Sequence, residues 1–248
     1  MSELETGLYI AAKMMYNTPY QSNEELPLMK CFFISWTLIF ILFQFPPFGG
    51  SPQEKPEEEP PVKGWWVVPY FAVRPTQYSK IAGGIIKAES RGSRSSLYKK
   101  VEEKGSTLSL LSWRWKITNV VRSAIETRKD RFDAAARVMV IFQKEGFWGT
   151  LEGGEPSGTK IEYIWANRLP RGNVFDHPGE KNTKVVVLES GDGRVGQWVD
   201  ESRNIRKDYK DFFGTDPPPL IAIGIQTDTD HSNEMVTAYY SEPQLRKK

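Results

Sequence analysis

Asp228, Asp230, Ser232 and Asn233 place side-chain oxygens close together, directly after an apolar run. Alternating oxygen donors of this kind suit a hard cation such as Ca²⁺. The stretch lacks the central glycine and the distant glutamate of an EF-hand loop. We therefore expect Asp228 and Asp230 to be the metal ligands of a calcium site, and the alternative is a solvated hairpin loop with Asx turns.

Arg137 lies in a run, Ala136–Gln143, whose two faces are both largely apolar, which predicts a central strand. A guanidinium buried there needs a carboxylate partner. Asp133, four residues earlier, and Glu162 are the candidates. These residues would form a structural ion pair or, alternatively, a clamp that binds an anion or a sugar.

Trp113 and Trp115 lie two residues apart, so in a strand they share a face with Leu111 and Ile117. That face is typical of a core, although aromatic rings also stack on sugars. Arg114 and Lys116 fall on the opposite face. In a sandwich that face is solvent or the floor of a groove, so we expect both to contact a ligand.

The sequence contains no nucleophile elbow, no zinc-protease motif and no phosphate-binding loop. The segment GDGRVG, residues 191–196, is interpreted as a turn because no helical pattern follows it, and no nucleotide cofactor is expected.

Either histidine, His177 or His231, could be the base of a Ser/His/Asp triad. Several carboxylates are available for glycoside chemistry, namely Glu162, Glu189, Glu201, Asp228 and Asp230.

The composition excludes some classes of protein. The 248 residues carry a formal charge of +2 and no long basic run, so a nucleic-acid partner is not expected. Cys31 is the single cysteine, which excludes a disulfide within the chain and a cysteine metal cluster.

The elements that must position these side chains are short strands separated by glycine-rich turns, with one helix near Arg203–Phe213. This pattern predicts an all-β fold, an antiparallel β-sandwich or jelly roll with one short helix. The strands are expected near Trp65–Val68, Ser79–Glu89, Leu108–Ile117, Ala136–Gln143, Lys160–Trp165, Thr183–Glu189, Leu220–Gln226 and Val236–Tyr240.

The N-terminal region has a different composition from the rest. Cys31–Phe45 is an apolar run of signal-peptide length, shorter than the roughly 20 residues that span a bilayer. We expect residues 1–28 to be a disordered extension, 29–50 a signal peptide or membrane anchor, 51–63 a Pro/Glu-rich linker and 64–248 the sandwich domain. This organisation predicts a periplasmic or extracellular protein, anchored in the inner membrane if the apolar run is not cleaved; a buried core helix is the alternative for that run.

From Trp65 onward the chain resembles a bacterial family known as domain of unknown function 3047. The residues that carry the resemblance are Tyr78, 87–90, Leu97, 111–115, Asp133, 136–138, 163–166, Trp198, 203–205, 208–209, 213–214, 227–230 and 238–240. The family often has two adjacent acids before its Ala-Arg segment, whereas here Phe132 precedes Asp133, which argues against a two-acid mechanism. The resemblance implies an exported bacterial protein and assigns no activity.

Three hypotheses for the function follow. The first is an exported module that binds a glycan or another component of the cell envelope through Arg114, Lys116, Arg137, Asp133 and Glu162, with Ca²⁺ at Asp228 and Asp230. The second is a polysaccharide hydrolase or lyase that uses carboxylates such as Asp133 and Asp228. The third is a structural envelope protein without a small ligand.

Overall fold

Two β-sheets and one α-helix make up the part of the chain that the computed structural model describes, residues 60–144 and 154–247. The extension 1–28, the apolar segment 29–50 and most of the linker 51–63 lie outside the described residues. Val62 is buried in the main core, so the fold begins before Gly64. In chain order the elements are β1 (Trp66–Pro69), β2 (Gln77–Ile81), β3 (Ile85–Arg91), β4 (Ser95–Glu103), β5 (Leu108–Ile117), β6 (Ala134–Gln143), β7 (Gly158–Ala166), β8 (Val174–Asp176), β9 (Thr183–Ser190), β10 (Val199–Asn204), α1 (Ile205–Phe213), β11 (Leu220–Asp228), β12 (Met235–Tyr240) and β13 (Gln244–Lys247).

The larger sheet has seven strands in the order β1-β4-β11-β6-β7-β9-β8. Its neighbouring strands run antiparallel except for β7 and β9, which are parallel. The chain leaves β7, forms β8 at the sheet edge, and returns as β9 between the two. The expectation of a purely antiparallel sandwich is therefore wrong for this pair of strands, because β9 re-enters the sheet in the direction of β7.

The smaller sheet has six strands in the order β10-β5-β12-β3-β2, with β13 also paired to β5. β11 and β12 follow each other in the chain but belong to different sheets. The acidic stretch between them therefore crosses from one sheet to the other. The alternative of a hairpin loop is wrong, because β11 pairs with β4 and β6 and leaves no edge for β12.

The core lies between the two sheets. Trp113 and Trp115 of β5 meet Tyr163 and Trp165 of β7, with ring centroids 5.5 Å and 6.0 Å apart respectively. All four side chains are buried, and each contributes on the order of 2 kcal/mol or more through the apolar area it buries. The expected sandwich with one short helix is confirmed, and the tryptophan pair belongs to its core.

The sequence pattern merged one pair of strands and missed others. The strand expected at Ser79–Glu89 is two strands, β2 and β3, because Gly83 and Gly84 adopt left-handed φ angles of 75° and 74° and turn the chain back. The missed strands are β4, β8, β10 and β13. β4 and β10 mix charged residues with few apolar ones, so the alternation that reveals a half-buried strand is weak in them.

The helix α1 begins at Ile205, two residues later than expected, because Arg203 and Asn204 extend strand β10. The Asn204 side chain caps the helix by accepting a hydrogen bond from the Lys207 backbone N–H at 3.0 Å. Gly214 ends it with a left-handed φ of 77°. None of the helices within residues 60–144 and 154–247 combines the length and the apolarity needed to cross a bilayer.

Candidate functional site

Arg137 of β6 lies on the face of the larger sheet that is turned away from the sandwich core, in the same row as Met139 and Ile141. Its guanidinium is only 1% exposed. It donates to both oxygens of Asp228 at 3.1 Å and 3.0 Å, to Glu162 Oε2 at 2.8 Å and to the Phe132 carbonyl at 2.9 Å. β11 and β7 flank β6, so the sheet order brings these two carboxylates to Arg137 from either side.

The pair of Arg137 and Asp228 remains charged at neutral pH. Burial raises the pKa of Asp228 to about 6, while Arg137 acts to lower it. Both carboxylate oxygens of Asp228 accept hydrogen bonds from the guanidinium, and Oδ1 also accepts from the Ala134 backbone N–H at 3.2 Å. The calcium site expected at Asp228 and Asp230 stays a prediction, and the structure gives Asp228 a guanidinium as its partner.

Lys160 of β7 extends this network along the sheet. Its ammonium is 2.8 Å from Glu180, 3.1 Å from Glu155 and 4.0 Å from Glu162. Burial opposes the charged form of Lys160, but Tyr98 and these three acids raise its pKa well above the ordinary value. Burial likewise opposes ionisation of Glu180, yet Lys160 lowers the pKa of Glu180 to about 2. The outer face of the larger sheet therefore carries a network of ion pairs, which runs from the buried Arg137 and Glu162 through Lys160 to the more exposed Glu155 and Glu180.

His177 lies beside this network in one defined protonation state. Its Nδ1 accepts hydrogen bonds from the backbone N–H groups of Gly179 at 3.0 Å and Glu180 at 2.8 Å. A nitrogen that accepts carries no proton, so the neutral ring holds its proton on Nε2. Burial lowers the pKa of His177, which favours this neutral form. Among the described residues Nε2 has no hydrogen-bond partner, and it lies 3.8 Å from Glu180 Oε1.

Asp133 and His231 form a second polar group next to the first. The two oxygens of Asp133 accept from the backbone N–H groups of His231 at 3.3 Å and Ser232 at 2.8 Å. The His231 Nδ1 lies 3.0 Å from Asp133 Oδ1 and 3.7 Å from Asp230 Oδ1. A carboxylate can only accept a hydrogen bond, so Nδ1 carries a proton and donates a hydrogen bond to Asp133 Oδ1. Of the two partners expected for Arg137, Glu162 pairs with it and Asp133 pairs with His231.

Glu189 and Glu201 stand apart from both groups, at the edge of the sandwich. Glu189 is ion-paired with Arg194 at 2.8 Å and Arg171 at 3.5 Å. Glu201 is buried, and its Oε1 has no hydrogen-bond partner among the described residues. Burial raises the pKa of Glu201 to about 7, and the neighbouring Glu189 adds to this rise. Glu201 is therefore partly protonated at neutral pH and lines a cleft of about 490 Å³ beside helix α1.

A third group lies on the outer face of the smaller sheet. The pairing of β5, β12 and β3 puts Lys116, Tyr239 and Lys87 side by side, and Trp198 stands next to Lys116 just before β10. The Lys116 ammonium lies 5.3 Å from the Trp198 ring centroid and 4.6 Å from that of Tyr239. Arg114, on the same face, lies 4.8 Å from the Trp198 ring. We call Trp198, Lys116, Tyr239 and Lys87 the aromatic–cation row.

The residues expected to bind one ligand are thus divided between two sheets. Arg137, Glu162 and Asp228 form one cluster on the larger sheet, and beside it Asp133 is hydrogen-bonded to His231, with Asp230 Oδ1 3.7 Å from the same ring nitrogen. Arg114 and Lys116 lie on the smaller sheet, on the face turned away from the core. The packed core lies between these two faces, so one small ligand cannot contact both of them.

Sequence reasoning missed the residues that complete each group. Trp198 and Tyr239 join Arg114 and Lys116 only through the pairing of β10 and β12 with β5. Trp198 falls just before a strand that its own sequence does not reveal. Lys160 was missed as well, although the sequence carried a signal for it: it alternates with Glu162 in an expected strand and therefore had to share a face with it.

Comparison with known proteins identifies the family of this chain. The model of the family described as "Protein of unknown function (DUF3047)" matches residues 63–244. The chain belongs to the DUF3047 family. The matched DUF3047 region contains every residue of the three groups described above. A search of curated proteins returned no match.

Several solved structures are similar to this DUF3047 domain at a low level. The xyloglucanase domain of NopAA from Sinorhizobium fredii has a TM-score of 0.44 at 9% identity, covering 75% of this chain and 93% of that one. The family 11 carbohydrate-binding module of Lic26A-Cel5E from Clostridium thermocellum has 0.38 at 10%, covering 75% and 88%. The family 12 xyloglucanase from Bacillus licheniformis has 0.40 at 9%, covering 74% and 100%.

Proposed function

We propose that the domain binds a glycan that carries carboxylate groups, on the outer face of the smaller sheet. The observation behind the proposal is the aromatic–cation row, in which Trp198, Lys116, Tyr239 and Lys87 alternate across neighbouring strands. An acidic sugar presents an apolar C–H face and a charged substituent. In such a row the rings would contact the apolar face and the cations would bind the charged substituent.

The aromatic members of the row are accessible. Trp198 is 36% exposed, and Tyr239 is half-buried beside it, with ring centroids 6.5 Å apart. A large apolar ring held at the surface next to polar groups is typical of a binding site. The free energy falls when a ligand covers the ring and removes it from water. The strands lie about 4.8 Å apart, so the row spans roughly 14 Å and fits a short oligosaccharide better than one sugar.

The cations explain the preference for an acidic glycan. Among the described residues neither Arg114 nor Lys116 has a carboxylate within ion-pair distance, whereas Lys87 pairs with Glu89 at 2.8 Å. A planar guanidinium binds a carboxylate through two parallel hydrogen bonds. Arg114 is therefore placed to bind a uronate carboxylate while the sugar ring rests on Trp198.

A cavity beside the row extends this surface. It measures about 430 Å³ and is lined by Arg114 together with Ser112, Asp200, Ser241 and Gln244. These side chains offer both hydrogen-bond donors and acceptors, which sugar hydroxyls require. The row and this cavity therefore form a continuous polar and aromatic surface around Arg114.

The hydrolase or lyase hypothesis has less support from the geometry. It relied on Asp133 and Asp228 near Arg137, and both carboxylates are already bound, Asp228 by Arg137 and Asp133 by His231 and Ser232. A general acid or base must be free to exchange a proton with a substrate. The structural-protein hypothesis predicts no pocket with convergent polar groups, so the polar cavity around Arg114, next to the aromatic–cation row, favours binding.

The test is a binding titration of the full chain with polygalacturonate and alginate as acidic glycans and xyloglucan as a neutral one. We expect Trp198→Ala to weaken binding of the acidic glycans by about tenfold or more, since covering a large apolar side chain contributes about 1.5–3 kcal/mol. Arg114→Gln with Lys116→Gln should remove the preference for acidic glycans and its sensitivity to salt. Lys100→Gln, an exposed lysine on the larger sheet, is the matched control. Equal binding by all four proteins would contradict the proposal.

We further propose that the protein is exported, with the segment 29–50 as a signal peptide or an anchor. The apolar run Cys31–Phe45 supports this, because its length and its preceding Lys30 suit a signal sequence. Cell fractionation with N-terminal sequencing of the mature chain separates the outcomes. A soluble cytoplasmic protein with residues 29–50 intact would contradict export.

A further inference from the structure

The group of Asp133, Asp230 and His231 has the geometry of a metal centre. Asp133 directly precedes β6, and Asp230 and His231 lie in the crossing between β11 and β12. One oxygen of each aspartate and one ring nitrogen of His231 all lie within 4.8 Å of one another. The Nδ1 is 3.0 Å from Asp133 Oδ1 and 3.7 Å from Asp230 Oδ1. Three donor atoms at these separations can share one ion about 2.0–2.2 Å from each.

An unsatisfied atom points to a missing ligand. Asp230 Oδ1 is buried and has no hydrogen-bond partner among the described residues. A buried carboxylate oxygen without a partner carries a desolvation penalty that an ion would relieve. Asp133 is well held, since the backbone N–H groups of His231 and Ser232 donate hydrogen bonds to its two oxygens.

Hydrogen bonds fix the crossing that carries Asp230 and His231. The Asn233 N–H donates to the Thr229 carbonyl at 2.8 Å, and the Thr229 hydroxyl lies 2.7 Å from Ser90 of β3. A fixed loop means that an ion need not order the chain in order to bind. An adjoining cavity of about 240 Å³, lined by Asp133, His231, Ser123 and Arg131, has room for water ligands.

We propose that Asp133 Oδ1, Asp230 Oδ1 and His231 Nδ1 bind a divalent transition-metal ion such as Zn²⁺, with water from the adjoining cavity completing its coordination. The imidazole donor favours a transition metal over Ca²⁺, which takes oxygen ligands. On binding, the Nδ1 proton moves to Nε2 of the same ring, so the ion takes the place of the proton that now bridges His231 and Asp133. This site is independent of the glycan-binding proposal and uses Asp230 without Asp228.

The second group of potential ligands, Glu162, His177 and Glu180, does not suit a metal ion. His177 Nδ1 accepts two backbone hydrogen bonds, so Nε2 must keep its proton and has no lone pair for a metal. Arg137 already neutralises Glu162, and Lys160 neutralises Glu180. The two histidines therefore provide an internal comparison, because the geometry assigns metal binding to His231 alone.

The test is metal binding by the full chain, purified without a polyhistidine tag and stripped with a chelator. We measure Zn²⁺ affinity and stoichiometry for the wild type and for Asp230→Asn, His231→Gln and His177→Gln. Asp133 is left intact because it also holds the loop backbone. The expected result is one Zn²⁺ per chain, weakened by about tenfold or more in Asp230→Asn and in His231→Gln, and unchanged in His177→Gln.

Nitrogen NMR of the histidine rings gives a second measurement. Zn²⁺ should move the His231 proton from Nδ1 to Nε2 and leave the His177 tautomer unchanged. The proposal is overturned if no Zn²⁺ binds, if Asp230→Asn and His231→Gln bind it as tightly as the wild type, or if equimolar Ca²⁺ displaces it. Loss of binding in His177→Gln alone would also overturn it, because that result places the ion at the other group.

Discussion

Replacing Arg137 with methionine should lower the free energy of unfolding, because the charge of Arg137 is needed to stabilise two buried carboxylates. The substitution keeps an unbranched apolar stem but leaves Asp228 and Glu162, 0% and 3% exposed, without their common cation. It removes the two hydrogen bonds to Asp228 and the one to Glu162. Removing one partner of a buried ion pair lowers the free energy of unfolding by about 3–5 kcal/mol, because the remaining charge stays uncompensated.

The two carboxylates should not contribute equally to that loss. Glu162 keeps Lys160 at 4.0 Å after Arg137 is removed, whereas Asp228 has no other cation within ion-pair distance among the described residues. Asp228→Asn should therefore restore more stability to Arg137→Met than Glu162→Gln does, by about 1–2 kcal/mol. The expected rank order of the two double variants, Arg137→Met with Asp228→Asn and Arg137→Met with Glu162→Gln, follows from the position of Lys160 beside Glu162.

Urea unfolding at pH 7.5, followed by tryptophan fluorescence, measures these differences. Arg128→Met is the matched control, because Arg128 is 54% exposed and pairs with Asp130 at the surface. Its free energy of unfolding should stay within about 0.5 kcal/mol of the wild type. A loss below about 1 kcal/mol in Arg137→Met, or a better rescue by Glu162→Gln than by Asp228→Asn, would refute the reasoning.

Two further predictions concern stability. Glu201 has a folded-state pKa of about 7 against an ordinary 4.5, so the wild type loses stability as the pH rises through this window, and Glu201→Gln should not. At pH 8 the variant should be more stable by about 1–2 kcal/mol in urea unfolding, a value reduced for partial screening by solvent; equal pH profiles would contradict this. A Cβ on Gly105 would lie 1.8 Å from the Pro217 carbonyl oxygen, so Gly105→Ala should lose about 3 kcal/mol or more by thermal melting, whereas Gly193→Ala, with open space around it, should lose less than about 1 kcal/mol.

The sandwich could be predicted from sequence because its central strands are strongly apolar. Ile223 and Ile225 alternate in β11, and Trp113 and Trp115 alternate in β5, and these positions are buried. The strands at or near the sheet margins carry weaker signals. β10 reads VDESRN, and only Val199 in it is an apolar residue facing the core. Its place in the sheet is decided by pairing with β5, which no pattern within β10 could reveal.

The need of Arg137 for a carboxylate could also be predicted, because burial of a charge follows from the apolar sequence around it. Glu162 is one of the two partners that the sequence predicts and it does pair with Arg137, whereas Asp228 is not predicted as a partner. Glu162 is 25 residues away in sequence and Asp228 is 91 residues away, and both are neighbours of Arg137 only because β6 lies between β7 and β11. Asp133, the candidate nearest in sequence, precedes the strand and is held by the loop after β11 instead.

The acidic stretch shows why spacing alone could not assign the roles of its residues. Asp228 and Asp230 are two residues apart, which on one continuous strand would put them on the same face. β11 ends at Asp228, and the chain turns after Thr229, so the two side chains meet different partners. Asp228 lies against Arg137, and Asp230 lies against His231, which itself contacts Asp133. The end of one strand therefore separates Asp228, which stabilises the sheet through Arg137, from Asp230, whose Oδ1 has no hydrogen-bond partner among the described residues.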